Sequence, residues 1–411
     1  MPPEEECRSM RCGDSWEQTF NRTIMRHLLE LFLFFTALMV LPDWYIYRTY
    51  ILRLKEQVWR RIYWLPGILL FIGMLIAFIG YEPRPEAMNR LSLLLIIFLC
   101  INVPKALFAL CALTLRGLAG KMHHEFHESY IALAIAMFSG ATILFGATEG
   151  KQRFEVKNVE IASKDIPQGF DGYRIVQIAD IHAGSWGTDT VPMQRAVSLI
   201  NSLNPDLIVF TGDLVNNLAS ELDAFIPVFS RLQAKHGVYS VLGNHDYSTY
   251  IQWEHPGQQE AELDSLKAKQ AQMGWQLLNN RHVKLYQQTD SIALIGVENS
   301  GRPPFPDHSR LDEASVGTEG MFKILLSHDP SHWRREVLPN TDIHLTLAGH
   351  THDMQTSLFG LSPAAFAYPE HSGLYEEEGQ MLYVNIGLGH LLYPMRLGAW
   401  PEITVLTLRK K

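Results

Sequence analysis

Five short apolar runs in the second half of this chain each end in a compact polar block, and few folds accommodate that arrangement five times over. Tyr173–Ala179 runs into Asp180-Ile181-His182, Leu207–Thr211 into Gly212-Asp213, and Val238–Leu242 into Gly243-Asn244-His245-Asp246. Phe322–Leu326 leads to Ser327-His328-Asp329, and Ile343–Ala348 to Gly349-His350-Thr351-His352. Short runs with alternating and β-branched apolar residues predict buried strands. The polar blocks then emerge at the strands' carboxyl ends, where α/β folds gather binding groups because a rigid sheet aims side chains that loops would leave wandering. Carboxylate, amide and neutral imidazole in this mixture suit Zn, Mn or Fe(II), and there are enough of them for two metal ions. The four cysteines, Cys7, Cys12, Cys100 and Cys111, all precede residue 150 and form no CxxC pair, which argues against an iron–sulfur or structural zinc site.

In their order and composition the blocks resemble the calcineurin-like metallophosphoesterase family, whose pattern is D-x-H, G-D, G-N-H-[DE], a lone His and G-H-x-H. The resemblance covers roughly residues 154–411, and the late stretch Gly387-Leu388-Gly389 through Pro401-Glu402-Ile403 is similar to members tethered to membranes by amino-terminal helices. It implies an α/β catalytic domain built as an αββα sandwich with two mixed β-sheets. It implies that Asp180, His182 and His352 hold one divalent metal ion, that Asn244, His328 and His350 hold a second, and that Asp213 bridges them. His245 matches the family's catalytic histidine and Asp246 the neighbour that orients it. The implied reaction is hydrolysis of a phosphoester, with phosphodiesters favoured. A hydroxide bridging two cations about 4 Å apart attacks phosphorus in line, while His245 stabilises charge or protonates the departing oxygen. One departure is Asp353-Met354-Gln355, where membrane-tethered relatives commonly carry Gly-Gly-Gln or Gly-Met-Gln; an added carboxylate beside His352 is expected to make the site more negative.

The first 150 residues are different material. Four apolar stretches, Leu28–Tyr47, Ile62–Tyr81, Leu91–Leu115 and Tyr130–Ala147, are each near the roughly 20 residues that cross a bilayer, and predict a four-helix transmembrane region. Trp44, Tyr45, Tyr47 and Tyr50, then Trp59, Tyr63 and Trp64, cluster where interfacial anchors belong. A soluble bundle would show a polar face on each helix, and a cleavable signal would not start so late or be followed by three more apolar stretches. The expected organisation is therefore a tail over 1–27, a membrane region over 28–147, a linker over 148–153 and the catalytic domain over 154–411. An even number of spans puts the amino terminus and that domain on one side. Arg48, Arg53, Lys55, Arg60 and Arg61 crowd the first loop, so the positive-inside rule favours an inner or plasma membrane with the domain extracytoplasmic, against opposing charge at Arg8, Arg11, Arg22 and Arg26. Lys105, after Pro104 in the third span, is expected to snorkel. His123, His124 and His127 could form a second metal site, or none, in the loop before the fourth span.

Residues 1–150 hold 14 Lys plus Arg against 13 Asp plus Glu, and residues 151–411 hold 21 against 30. Without a basic stripe to neutralise a polynucleotide backbone, no nucleic-acid partner is expected. A short linker would keep the site near the lipid surface, and Phe359–Tyr375, with Leu361, Pro363 and Phe366, reads either as an apolar wall for a lipid-linked phosphoester or as a loop packed on its own domain. Two other function classes compete with the enzyme: a non-catalytic metal-binding membrane sensor or scaffold, and a transporter with a regulatory domain. Asn216 and His390 are weaker candidates for the site's surroundings.

Overall fold

A computed structural model describes residues 33–79, 85–119 and 125–411. The chain divides into two compact units, Met1–Leu75 with Ile97–Thr142, and Ile76–Ile96 with Ile143–Lys411.

The membrane region is helical over 33–49, Leu65–Ile79, Pro85–Ala119 and Glu125–Thr148. Among the described residues three segments are long and apolar enough to cross a bilayer: Gln57–Ala77, Ala87–Gly117 and Tyr130–Gln152. The first expected span, Leu28–Tyr47, begins outside the described residues and is helical from 33 onward. Large apolar side chains such as Leu69, Ile76, Leu110 and Phe138 stand exposed along these helices, as lipid-facing surfaces require. Lys105 Nζ lies 2.8 Å from Asp43 Oδ1, and the Tyr63 hydroxyl donates to the same oxygen at 2.8 Å, so the charge is met by a carboxylate within the helical unit. His123 and His124 lie outside the described residues, as does the side chain of His127.

The second unit is built on two six-stranded mixed sheets. In chain order the strands are β1 (Glu155–Ser163), β2 (Arg174–Ile178), β3 (Leu207–Thr211), β4 (Val238–Val241), β5 (Trp275–Leu277), β6 (Arg281–Gln287), β7 (Asp290–Gly296), β8 (Phe322–Leu326), β9 (Leu345–Ala348), β10 (Gly373–Glu377), β11 (Gln380–Val384) and β12 (Glu402–Lys410). One sheet runs β1-β12-β2-β3-β4-β5 and the other β10-β11-β9-β8-β7-β6. β2, β3 and β4 pair in parallel, as do β7, β8, β9 and β11, while β12 against β2 and β6 against β7 are antiparallel.

Alternation along each strand divides the core into layers. Ile175, Val209 and Val241 from the first sheet meet Leu294, Ile324 and Leu347 from the second between the sheets. Val176, Ile178, Ile208 and Phe210 face the other way, against Met193, Val197 and Ile200 of the helix Val191–Ser202. On the far side Ile295, Leu325 and Val384 pack under Leu311, Trp333 and Val337. This is the αββα sandwich that the family resemblance implies. Gln177 ties the sheets at one end, its Nε2 donating to Ala348 O at 2.8 Å and to Thr211 Oγ1 at 3.1 Å. That end is where β2, β3, β4, β8 and β9 deliver their polar blocks.

Candidate metal centre

Six of the seven expected ligands gather in two groups at the carboxyl ends of these strands, with Asn244 in the turn after β4, and the backbone is forced to get them there. Asp180, His182, Asp213, His350 and His352 all have φ between 48° and 76°. That left-handed region costs L-residues on the order of 1–2 kcal/mol and persists only where the surroundings over-determine it. Two glycines make room. A Cβ on Gly243 would lie 2.2 Å from Asp213 Oδ1, and one on Gly349 2.5 Å from Asp180 Oδ2, so each G-x block needs its glycine to let two turns meet.

Two groups of donors result, Asp180 with His182 and His352, and Asp213 with His328 and His350. In the first, His182 Nε2 and His352 Nε2 are 3.0 Å apart and His352 Nε2 is 3.3 Å from Asp180 Oδ1. In the second, His328 Nε2 is 3.2 Å from His350 Nδ1 and 3.2 Å from Asp213 Oδ2. That same Asp213 oxygen is 3.7 Å from His182 Nε2, so one carboxylate atom borders both groups. Asn244 completes the surroundings. Its Nδ2 donates to the Tyr250 hydroxyl at 2.8 Å, while its buried Oδ1 has no hydrogen-bond partner. A buried carbonyl oxygen left unpaired is costly unless something else takes it, and a cation would. The donor set therefore fits divalent metal ions.

Ring tautomers are set from outside. His328 Nδ1 lies 2.7 Å from Thr211 O and His245 Nδ1 2.7 Å from Asn216 O; a carbonyl can only accept, so both Nδ1 atoms carry a proton and Nε2 is the atom left to ligate or to exchange a proton. His352 is held differently. Its Nδ1 accepts from Nη2 of the wholly buried Arg396 at 3.0 Å, and that guanidinium also donates to the carbonyls of Gly389, Ile386 and Ala399. Burial pushes His182 down to about 3 and His350 to about 4, leaving both neutral and able to ligate. Burial also opposes charge on Asp213, but the imidazoles of His328 and His245 outweigh it and hold that carboxyl well below its usual range. Burial alone would depress His328; the Asp213 carboxylate beside it wins and raises it to about 10. Without cations, Asp213 and His328 thus share a proton where a metal ion's charge would otherwise sit.

Asp246 acts on the backbone rather than on the neighbouring ring. Its carboxylate accepts the N–H groups of Gly243 at 2.9 Å, Asp213 at 3.0 Å, Leu214 at 2.8 Å and Val215 at 3.3 Å, pinning the Asp213 loop to the turn that carries Asn244. The His245 ring meets the backbone carbonyl of Asn216, whose side chain is itself engaged with Ser185, Nδ2 donating to Oγ at 3.0 Å. The Asp353 carboxylate lies 2.7 Å from His371 Nδ1, so it is partnered rather than turned loose on the metal groups. His390 belongs to neither group; its ring lies tilted against Trp186, the centroids 4.9 Å apart. Arg396 carries no motif that sequence reading could have used, whereas Tyr368, whose hydroxyl is 2.8 Å from His350 Nε2, falls in the expected wall or loop Phe359–Tyr375.

Both parts of the chain are similar to known proteins. The family described as "Calcineurin-like phosphoesterase" matches residues 173–354, and the one described as "Probable Calcineurin-like phosphoesterase, transmembrane domain" matches residues 25–151. The chain is 35% identical over 262 residues to "Uncharacterized metallophosphoesterase YkuE" of Bacillus subtilis, covering 61% of this chain and 83% of the relative. It is 29% identical over 416 residues to "Transmembrane protein with metallophosphoesterase domain" of Danio rerio, covering 93% of this chain and 90% of that one. It is 27% identical over 266 residues to "UDP-2,3-diacylglucosamine pyrophosphatase LpxG" of Chlamydia trachomatis, covering 53% of this chain and 78% of the relative.

Proposed function

The chain belongs to the calcineurin-like metallophosphoesterases, in the form that carries a transmembrane domain, and on that premise we propose that it is a membrane-anchored, two-metal phosphoesterase acting on phosphodiester bonds. The observation that carries the proposal is Asp213 Oδ2, which borders both groups of histidines, with the buried Asn244 Oδ1 left unpartnered in the turn whose His245 N–H donates to Asp213 Oδ1. In this reading Asp180, His182 and His352 hold one ion, Asn244, His328 and His350 hold the other, and Asp213 serves both. Divalent ions bound there supply Lewis acidity, which acidifies water and neutralises charge on phosphoryl oxygens.

The chain's own groups do the rest. His245, anchored through Nδ1 to Asn216 O and edge-on to the His182 ring at 5.0 Å, offers Nε2 to a phosphoryl or departing oxygen. Asp246 and Arg396 are positioning residues, the first for the loop that carries Asp213, the second for His352. The domain runs over 154–411 behind the linker 148–153 and a membrane region over 28–147, and the cationic first loop supports an extracytoplasmic placement. A lipid-linked phosphoester is the favoured substrate class, supported by that short tether and by the named activity of the chlamydial relative.

The test uses full-length protein in detergent, stripped of metal and resupplied with manganese. Hydrolysis of a chromogenic phosphodiester that depends on manganese and is abolished by Asn244→Ala and Asp213→Ala supports the reading. Two ions bound per chain with no turnover of soluble or lipid phosphoesters would instead favour the sensor or scaffold.

A further inference from the structure

Between Asp353 and Glu370 lie 16 residues, 354–369, without one charged or histidine side chain, in a domain that is otherwise rich in acid. They begin two residues after His352 and end one residue after Tyr368, whose hydroxyl meets His350. Here Phe359 is 104% exposed, Phe366 96% and Leu361 78%. Leu358 and Leu361 exchange both backbone hydrogen bonds at 3.0 Å around a two-residue turn, with Phe359 at φ 54° and Gly360 at φ 79°. A bulky aromatic residue in the left-handed region, at the tip of a tight turn and wholly outside the fold, gains nothing from water.

This loop is stitched to the ends of two candidate spans. Ser357 N donates to Leu397 O at 2.8 Å, and Leu397 N to Gln355 O at 3.0 Å. One residue earlier, Arg396 N donates to Gly146 O at 3.1 Å, in the last turns of the span Tyr130–Gln152. Ser92 Oγ, near the start of the span Ala87–Gly117, donates to Leu392 O at 2.6 Å. The seat is close-fitting: a Cβ on Gly150 would come within 2.3 Å of Arg396 O, and one on Gly398 within 1.7 Å of Ser357 O. These residues, Ser92 and Gly146 included, all fall in one compact unit, so the loop is fixed relative to the helix ends that meet lipid.

We infer that the uncharged loop 354–369 is seated in the acyl region of the bilayer that the helices span, and that its apolar tip receives the tail of a lipid-borne phosphoester whose phosphate reaches the metal ligands past Tyr368. The second half of this inference rests on the phosphoesterase reading; the first does not. Continuity with the spans selects lipid as the occupant. Uncharged composition and outward aromatic side chains are what an interfacial loop needs.

Two measurements on the full-length protein test it. With Cys7, Cys12, Cys100 and Cys111 changed to Ser, a nitroxide is attached to Phe359→Cys, Phe366→Cys or, as an aqueous control, the exposed Tyr286→Cys, each in phosphatidylcholine nanodiscs. Collisions with oxygen should exceed those with a neutral nickel chelate at 359 and 366, and the order should reverse at 286. Labels at 359 and 366 that behave like 286, or that are shielded from both reagents by a second copy or another protein surface, overturn the lipid seat. In the combined variant Phe359→Asp, Leu361→Asp, Phe366→Asp, the ratio of the rate on a diacyl phosphodiester in the bilayer to that on a soluble one should fall at least about tenfold; an unchanged ratio overturns tail binding. A wild-type protein that hydrolyses neither substrate refutes the phosphoesterase reading and with it the tail site, leaving the labels to judge the seat.

Discussion

Replacing Asp246 with Asn removes one oxygen and one charge from a side chain of nearly the same shape, and the structure sets what that costs. Oδ2 accepts from Gly243 N and Asp213 N, Oδ1 from Leu214 N and Val215 N. An Asn amide keeps one acceptor and turns an NH2 group toward the other pair, so two buried N–H groups lose their partner. Each such loss costs about 1–3 kcal/mol, or about 2–6 kcal/mol for the two. Relief of the burial penalty on this charge, and of its repulsion with Asp213, offsets part of this and places the expected loss at about 2–4 kcal/mol. For a domain of this size that is a fall in Tm of about 4–16 °C. The same change loosens the loop carrying Asp213, so manganese should bind more weakly by about 10–100-fold, as other supporting contacts of metal sites do. Thermal unfolding of the full chain in detergent, with and without manganese, reads the first effect, and titration of manganese against phosphodiester turnover reads the second. A variant that melts within 1 °C of wild type and needs no more manganese would refute the argument that this carboxylate holds the two loops together.

Asn244→Ala should reduce the metal content of purified protein from two ions to one per chain, measured by elemental analysis; two retained ions would remove Asn244 from the ligand set. Metal-free protein should lose stability as pH rises from about 7 to 10. His328 stands near 10 and Asp180, raised by burial, near 8, both above their unfolded values, so protons that favour the folded state are lost across that window at about 1.4 kcal/mol per unit per proton. Bound metal replaces those protons, and the slope of Tm against pH should flatten; a flat profile without metal contradicts the shared proton. Gly150→Ala puts a methyl 2.3 Å from the Arg396 carbonyl and should cost about 1–3 kcal/mol in thermal stability, whereas a neutral outcome would show that the helix end yields. Lys105→Met should destabilise the membrane region by about 3 kcal/mol in micelle unfolding because Asp43 is left buried and unpaired, and adding Asp43→Asn should recover part of it; strictly additive losses would rule out the pair.

Much of the site was legible because its signals are local. An apolar run followed at once by D-x-H or G-N-H-D needs only one strand and one turn, and the residues that meet the cation lie within a few positions of the strand end. The contacts that support those residues are distant in sequence and carry no pattern. Arg396 reaches His352 across 44 positions and Asp246 reaches Leu214 across 32. Asp353 was visible as an added charge, but its partner His371 was not, since the left-handed turn that brings them together is set by packing.

The sequence alone determined the buried strands with their polar ends, the donor types and the presence of membrane-spanning helices, because strand alternation, metal preference and bilayer thickness are each read from composition and spacing, while the sandwich followed from the family resemblance. Only the tertiary structure decided that Lys105 meets Asp43, that the Asn216 carbonyl meets His245 Nδ1 while Asp246 takes four backbone N–H groups, and that the uncharged loop after His352 is bound to the ends of two spans. Each of these depends on which surfaces of distant segments come into contact. A hydrogen-bond donor has many possible acceptors along a chain, and folding leaves it one.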